Sequence, residues 1–177
     1  MTNKNKTVWS GRFKNSTSKS FQRIGASINV DKRLYEQDIF ASKIHTQMLI
    51  KNKIIFGLKK IEKEILNKKF EFNIKYEDIH MNIEKRLFQI IGEEAGYIHT
   101  ARSRNDQVIT DLKIWMKSAT KEIDNLLSKL INSILKLAEK NIDTIMPGFT
   151  HLKNAQAISF SHYLMAYVEM FNRDKKR

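Results

Sequence analysis

The segment between Gly96 and Pro147 limits the possible folds more than any other feature of this 177-residue sequence. It contains neither glycine nor proline, and its apolar residues recur at alternating steps of three and four, which is the pattern of an amphipathic helix. We therefore predict one helix from about residue 106 to about residue 141. A helix well beyond about 25 residues is typical of a coiled coil, a bundle or a repeat array. No internal repeat is present, so a helical bundle is preferred.

The rest of the sequence also predicts helices. Glycine and proline are few, and the apolar alternation that marks strands is short and scarce. Apolar residues recur at helical spacing from Tyr35 onward, and Gly57 is interpreted as a break between two antiparallel helices. A third helix begins near Glu77, with Asp78 or Glu77 at its start, and ends at Gly92 and Gly96. A last helix runs from about Leu152 to the end of the chain. The predicted fold class is therefore all-α, preceded by a polar, basic arm over about the first 20 residues.

Composition excludes several classes of protein. Hydrophobic residues make up 41% of the chain, which is enough to form a core, and cysteine is absent, which excludes disulfides and thiolate metal sites. No apolar run approaches the roughly 20 residues of a membrane span, and the polar N-terminus lacks the apolar core of a signal peptide. We expect a soluble, cytoplasmic protein that does not enter a membrane.

The net charge of +13 raises the question of nucleic-acid binding. The excess of lysine is spread along the chain among asparagine and isoleucine, and no compact arginine-rich stripe with interleaved aromatic residues is present. Residues 76–111 even carry a net charge of −3. We therefore do not expect nucleic acid as the partner, although a basic helical nucleic-acid binder remains the least favoured alternative.

The acidic region ends in a stretch that suits an anion. Residues 96–111 place several polar side chains between a glycine and the start of the long helix. Ser103, Asn105 or Asp106 can cap that helix, whose free N–H groups favour a carboxylate or phosphate. Arg102 and Arg104 add guanidinium groups that can grip a carboxylate with two hydrogen bonds. The alternative interpretation is a well-capped helix with solvated charges.

A second candidate group is His151, which lies just after the only proline of the chain. A histidine on such a loop can serve as an acid or a base near neutral pH. His80 and Glu84 have the i, i+4 spacing of a metal-binding pair, but this spacing is common without a metal, and we predict no metal site. The sequence also lacks the glycine-rich motifs of nucleotide-binding loops.

Several stretches together resemble the argininosuccinate lyases of the fumarase/aspartase superfamily. V-W-S-G-R-F at 8–13 is similar to the family's W-G-G-R-F, and E-D-I-H at 77–80 matches its E-D-I-H segment. H-T-A-R-S-R-N-D-Q-V at 99–108 is close to the family's most diagnostic stretch, and P-G-F-T-H-L at 147–152 resembles its P-G-Y-T-H-L. Further similarity lies at residues 26–28, 35–42 and 173–174. The related adenylosuccinate lyases and fumarases fit less well.

The resemblance implies reversible cleavage of argininosuccinate to arginine and fumarate, the last step of arginine biosynthesis, without a metal or an organic cofactor. It also implies roles for individual residues. His151 would be the catalytic acid or base, or would position the groups that are. The residues that would bind substrate are Ser27, Arg102, Ser103, Asn105 and Thr150, and those that would support the site are Trp9, Asp78, His80 and Arg104.

The resemblance further implies two domains. Residues 1–105 would form an N-terminal helical domain with the basic arm, and residues 106–177 would supply the first two helices of the central bundle of a fumarase/aspartase-type fold. In the family, four copies pack their long helices together and each active site combines residues from different chains. Other copies, or a C-terminal lyase piece, are therefore the expected partners of the long helix.

Departures from the family pattern limit these expectations. Ser10, Lys153 and Ala157 replace a usual Gly, Gln and Pro, and Lys153 places a cation beside His151. The family's loop with the pattern G-S-S-x-M-P-x-K-x-N-P, which supplies a serine base and a lysine, has no counterpart in these residues. We expect the N-terminal portion of a lyase that is inactive by itself. The alternative is a non-catalytic partner that assembles with a full-length lyase.

Overall fold

A computed structural model of the protein describes residues 18–49 and 52–177. Trp9 and most of the predicted basic arm lie outside these residues. Two strands form a single antiparallel hairpin in the described part of the chain, and all other regular structure there is helical, which confirms the all-α fold class. Short 3₁₀ segments cover Lys32–Leu34, Ile74–Tyr76 and Gly92–His99. The remaining elements are α1 (Lys19–Gly25), α2 (Ile28–Asp31), α3 (Tyr35–Met48), α4 (Asn52–Leu66), α5 (Ile79–Ile91), α6 (Arg104–Glu139), β1 (Ile145–Thr150), β2 (Lys153–Ser159) and α7 (Phe160–Lys176).

The long helix predicted from the glycine-free segment is α6, which is 36 residues long. Its bounds differ from the predicted ones by two residues at each end. Among the described residues, none of the helices combines the length and apolar character that a membrane span requires. The chain divides into two compact units between Trp115 and Met116, inside α6. The predicted domain division at residue 105 stays a prediction.

The core of the first unit is formed by α3, α4 and α5, where α4 packs against both of the others. Apolar residues at helical spacing predict a stripe of Ile79, Ile83, Leu87 and Ile90 on the third helix. The first three are fully buried and Ile90 is half-buried. The side chain of Asp78 caps α5 by accepting a hydrogen bond from the Met81 N–H at 2.7 Å. Gly92 ends α5 with a φ of 73°, a left-handed conformation that glycine adopts without steric cost.

The apolar spacing in α3 predicted the buried face only in part. Ile39 is fully buried, but Ile44 and Met48 are 53% and 65% exposed. The residues of α3 that accompany Ile39 in the interior are instead polar: Asp38, Ser42 and Thr46. These polar residues follow one another at a spacing of four, so they form one stripe of the helix.

The interpretation of Gly57 as a helix break is wrong, because Gly57 lies inside α4 and is buried. A Cβ atom at this position would overlap the side chain of Leu87 and would lie 3.4 Å from Ile91. Glycine is therefore present because α4 and α5 approach each other closely here, and the cost of glycine in a helix is offset by the packing of Leu87.

The second unit differs from the prediction at its hairpin. Residues 152–159 do not begin the last helix but form the second residue of the hairpin turn and the whole of β2. Ser159 explains where α7 begins, because its hydroxyl accepts a hydrogen bond from the His162 N–H at 3.1 Å and caps the helix. Gly148 explains the hairpin, since a Cβ there would lie 2.8 Å from the carbonyl oxygen of Gln156 on the facing strand.

The part of α6 in the second unit carries two adjacent apolar stripes. Ile131 and Ala138 are buried, as are Leu164 and Val168 of α7. The other stripe remains open to solvent in the single chain. Its members are Ile123, Leu126, Leu130 and Leu137, which are 57%, 56%, 42% and 44% exposed.

We predict that Gly57→Ala destabilises the chain. Alanine improves helix propensity by about 1 kcal/mol. Because a Cβ here overlaps Leu87, the overpacking cost lies in the upper part of its usual range, at about 2–3 kcal/mol, so the free energy of unfolding should fall by about 1–2 kcal/mol. Urea unfolding followed by circular dichroism measures this change. Gly96→Ala is the control, because no atom lies within 4 Å of a Cβ built at Gly96. Equal stability of the Gly57→Ala variant and the wild type would contradict the proposed reason for this glycine.

Candidate functional site

The predicted anion-binding stretch is held at the start of α6 by a capping box. The Ser103 hydroxyl accepts a hydrogen bond from the Asn105 N–H at 3.2 Å, and the Asp106 carboxylate accepts one from the Ser103 N–H at 3.0 Å. This reciprocal arrangement satisfies two backbone N–H groups and fixes the entry of the chain into the helix. Ser103 and Asn105 are both exposed, so they can contact a ligand at this end of α6.

Arg104 is half-buried and paired, so the alternative of a helix end with solvated charges fails at this residue. Its guanidinium donates two hydrogen bonds to Glu84 of α5, one at 2.7 Å to Oε1 and one at 2.9 Å to Oε2. His99 also lies against Glu84, with Nε2 at 3.0 Å from Oε2. Burial would raise the pKa of Glu84, but His99 and Arg104 outweigh it and lower that pKa.

Arg102 is half-buried and only partly paired. Its Nη1 donates a hydrogen bond to the Ser42 hydroxyl at 3.1 Å, while its Nε and Nη2 have no hydrogen-bond partner among the described residues. Burial lowers the pKa of Arg102, and this effect outweighs the opposing charges of Asp38, Glu84 and Asp111. A guanidinium with unpaired N–H groups beside a helix N-terminus is a suitable group for binding a carboxylate.

Beneath this segment lies a buried network of charged and polar groups. His80 Nδ1 lies 3.2 Å from Asp38 Oδ1 and 3.5 Å from Asp111 Oδ2, and Gln107 donates a short hydrogen bond to Asp38. Arg104 donates to the Oε1 of Gln107 at 2.9 Å, so the network is continuous with the Glu84 pair. His80 is only 2% exposed and therefore acts on the site through its neighbours, not by touching solvent.

The three ionisable groups of the network affect one another's pKa values. Burial lowers the pKa of His80, but Asp38 and the other nearby carboxylates outweigh it and raise that pKa. Burial likewise opposes ionisation of Asp38, but the nearby His80 and its charge, with Gln107 and Arg102, lower the pKa of Asp38. No described residue donates a hydrogen bond to the Asp111 carboxylate, so burial and the charge of Asp38 raise the pKa of Asp111 to about 7.

One group in the described part of the chain has the spacing of a metal site. It consists of Asp38, His80 and Asp111, whose possible ligand atoms lie within 4.8 Å of one another. Gln107 donates a hydrogen bond to Asp38, and the charges of His80 and Arg102 act on both carboxylates. We therefore interpret the cluster as an internal network. His80 and Glu84, which have the i, i+4 spacing of a metal-binding pair, have different neighbours: His80 lies against Asp38 and Asp111, and Glu84 lies against Arg104 and His99.

Ser27 and Asp78 lie together at the start of α5. The backbone N–H groups of Ser27 and Ile28 both donate to the carbonyl oxygen of Glu77, at 2.9 Å and 2.8 Å. The Ser27 hydroxyl donates to the Asp31 carboxylate at 2.6 Å, and that carboxylate also accepts from the Ile79 N–H at 3.2 Å. Ser27 is exposed, so its hydroxyl is at the surface beside the N-terminus of α5.

Thr150 and His151 belong to the second unit, at the tip of the hairpin. Thr150 pairs with Lys153 across the two-residue turn, in which His151 and Leu152 have φ values of 49° and 62°. This left-handed conformation at both turn positions is typical of glycine or asparagine, and other residues adopt it at a steric cost. His151 is exposed, and Leu152 is 97% exposed. The predicted role of each site residue stays a prediction.

Sequence reasoning missed the residues that support the predicted site from within. These are Asp38, Ser42, His45, Gln107 and Asp111. His45 Nε2 lies 3.0 Å from the Thr100 carbonyl oxygen and so anchors the stretch before Arg102. The sequence contains a pattern that could have identified most of them, because polar residues recur at a spacing of four and interrupt apolar helix faces. These residues are Asp38, Ser42 and Thr46 in one helix and Gln107 and Asp111 in another.

Comparisons with known proteins show which proteins share this fold and sequence. The backbone of the chain is similar to the crystal structure of EDDS lyase in complex with formate, with a TM-score of 0.70 at 21% identity, over 92% of this chain and 34% of that one. The fold is therefore that of a helical lyase. The family model described as Lyase matches residues 11–177, and the chain belongs to this lyase family.

The similar curated sequences narrow the resemblance to argininosuccinate lyases, as the sequence motifs predicted. An argininosuccinate lyase from Pelagibacter ubique is 68% identical and covers 98% of this chain. One from Ehrlichia ruminantium is 48% identical over 96% of this chain. The chain spans 39% of the length of each of these two relatives.

We predict that Asp111→Asn removes a pH dependence of stability. The folded state raises the pKa of Asp111 from its ordinary value of 3.8 to about 7, so the folded chain holds a proton there that the unfolded chain has lost. The wild type therefore loses stability from this group as the pH rises from about 4 to about 7. Asparagine carries no charge at any pH, so the variant should gain about 1 kcal/mol or more relative to the wild type between about pH 5 and about pH 8.

Urea unfolding at these two pH values gives the difference in the free energy of unfolding. The control is Asp143→Asn, since Asp143 is exposed and its replacement should shift the free energy equally at both values. Parallel curves for the wild type and the Asp111→Asn variant would show that Asp111 is ionised in the folded chain across this range.

Proposed function

We propose that this chain is part of an argininosuccinate lyase, which cleaves argininosuccinate to arginine and fumarate. The observation that carries the proposal is the 68% identity to an argininosuccinate lyase across a segment that includes the predicted anion-binding stretch and the stretch with His151. The chain spans 39% of that relative, so the activity of the whole protein is an inference from this part. We further propose arginine biosynthesis as the pathway and the cytoplasm as its location.

The first unit suits the binding of a carboxylate of the substrate. Two nitrogens of Arg102, Nε and Nη2, have no hydrogen-bond partner among the described residues, and Ser103 and Asn105 lie beside Arg102 at the N-terminus of α6. The positive end of the helix dipole and the guanidinium both favour an anion there. We propose that these residues, with the surface hydroxyl of Ser27, bind the succinyl part of argininosuccinate.

The reaction breaks a carbon–nitrogen bond and forms the double bond of fumarate. A base removes the proton from the carbon beside a carboxylate, the negative charge moves onto that carboxylate, and the guanidinium nitrogen leaves with a proton from an acid. We propose that His151 is the acid or positions it, and that Thr150 contacts the substrate. No stretch of the sequence matches the family loop that bears the serine base, so we propose that a further polypeptide segment supplies it.

We also propose that the open apolar stripe of α6 packs against other helices of the complete enzyme. Four apolar side chains at helical spacing are 42–57% exposed in the single chain, and such a stripe is typically buried in a bundle. Other copies of this chain or a C-terminal lyase piece would be the partners. The same stripe favours a second candidate function, a non-catalytic partner that assembles with a full-length lyase.

A chimera tests the proposed activity. This chain replaces the matched segment of the Pelagibacter ubique argininosuccinate lyase, and the absorbance of fumarate reports turnover. We expect activity near that of the intact relative, because this chain supplies the predicted anion-binding stretch and the stretch with His151. A folded, assembled chimera without turnover would contradict the enzymatic proposal and favour the non-catalytic partner.

The role of His151 is tested in the same chimera. His151→Asn should lower kcat by about 100-fold or more, which is the usual contribution of a general acid or base. His162→Asn is the matched control, because His162 is also an exposed histidine of the second unit. Its kcat should stay within about twofold of the chimera, since surface substitutions away from a site have small effects. Unchanged turnover of the His151→Asn variant would refute the assigned role.

A further inference from the structure

We propose that Glu84 is a positioning residue for the anion-binding segment, which we define as residues 99–105. Glu84 lies on α5 and is not itself in contact with the exposed face of that segment. Its effect on a ligand would be exerted through the residues that it holds. The inference about the substrate rests on the proposed function, whereas the inference about the geometry of the segment does not.

The contacts of Glu84 reach both ends of the segment. One carboxylate oxygen accepts a hydrogen bond from Arg104 at 2.7 Å, and the other lies 2.9 Å from Arg104 Nη2 and 3.0 Å from His99 Nε2. The Glu84 side chain is only 11% exposed, so solvent screens these contacts little. Because His99 and Arg104 flank Arg102 and Ser103, a single carboxylate fixes the separation of the segment's two ends.

The backbone between the two ends is strained. Ala101 has a φ of 55°, a left-handed conformation that alanine rarely adopts. Such a conformation persists only where the surroundings hold it. The other contacts of the segment come from α3, through His45 to Thr100 and through Ser42 to Arg102. Glu84 is therefore the group on α5 that keeps the strained turn closed.

The conformation at Ala101 sets the direction of the neighbouring Arg102. If the segment relaxed, the unpaired N–H groups of Arg102 and the capped start of α6 would no longer lie at fixed positions. Groups held in place before binding lose less entropy when the ligand arrives. Loss of the Glu84 carboxylate should therefore weaken binding of an anion more than it changes the chemistry that follows.

The first test follows amide hydrogen exchange in the full 177-residue chain carrying Glu84→Gln. Glutamine keeps one acceptor oxygen but removes the charge and the second acceptor. We expect exchange of the amides of residues 100–105 to increase by about tenfold, while the core of α4 and α5 keeps its protection. Glu64→Gln is the matched control, since Glu64 forms an equivalent two-bond pair with Arg86, at 2.8 Å and 2.7 Å, away from the segment.

If the Glu84→Gln chain does not fold, His99→Gln replaces it, because this variant releases only one end of the segment. It should raise exchange within residues 98–102 and leave the pairing of Arg104 with Glu84 intact. Unchanged exchange in these residues, or equal changes in the Glu64→Gln control, would overturn the proposal.

The second test separates binding from chemistry in the chimera described above. With Glu84→Gln we expect the KM for argininosuccinate to rise by about tenfold and kcat to change by less than about threefold. Glu64→Gln should alter neither. A fall in kcat with an unchanged KM would overturn the positioning role. If the unsubstituted chimera has no turnover, the proposed function fails, and the exchange experiment still decides whether Glu84 holds the segment.

Discussion

The pairing of Arg104 with Glu84 determines where the long helix begins and what surrounds its first turn. Two hydrogen bonds join the charged groups in a setting that excludes most solvent, and such bidentate pairs are the strongest and most directional of protein ion pairs. Because Arg104 is the first residue of α6, the pair ties the helix start to α5. Gln107, one turn later, extends the connection to the buried network around His80.

That network explains why the interior of the first unit is not uniformly apolar. A buried charge costs several kcal/mol unless it is paired, and here Asp38, His80 and Asp111 share their charges inside the fold. The polar stripe of α3 and the first turns of α6 meet at this point, so neither helix can rotate without leaving a charge unpaired. Apolar packing could hold these helices together, but it would specify their rotation less strictly.

The spacing of apolar residues correctly predicted the helices that have one continuous apolar face. The bounds of α6, the stripe of α5 and the Ser103–Asp106 cap all follow from local pattern, because each depends on residues within a few positions of one another. The hairpin and Gly57 did not, since both depend on contacts between distant residues: Gly148 faces Gln156, and Gly57 faces Leu87. The prediction of the site was similarly local: it named ligand-binding groups but not the internal residues that hold them in place.

The ion pairs and hydrogen bonds of the fold also change how the net charge of the predicted anion-binding region is interpreted. Residues 76–111 have a net charge of −3 in the sequence, which would repel a carboxylate. In the fold, Glu84 is neutralised by Arg104 and His99, Asp106 and Asp78 cap helices, and Asp111 has a pKa raised to about 7. Arg102 is half-buried, and its Nε and Nη2 are buried without a hydrogen-bond partner among the described residues. A segment that is acidic in total therefore also holds an incompletely paired cation beside a helix N-terminus, while Glu84, Asp106 and Asp78 already have partners within the fold.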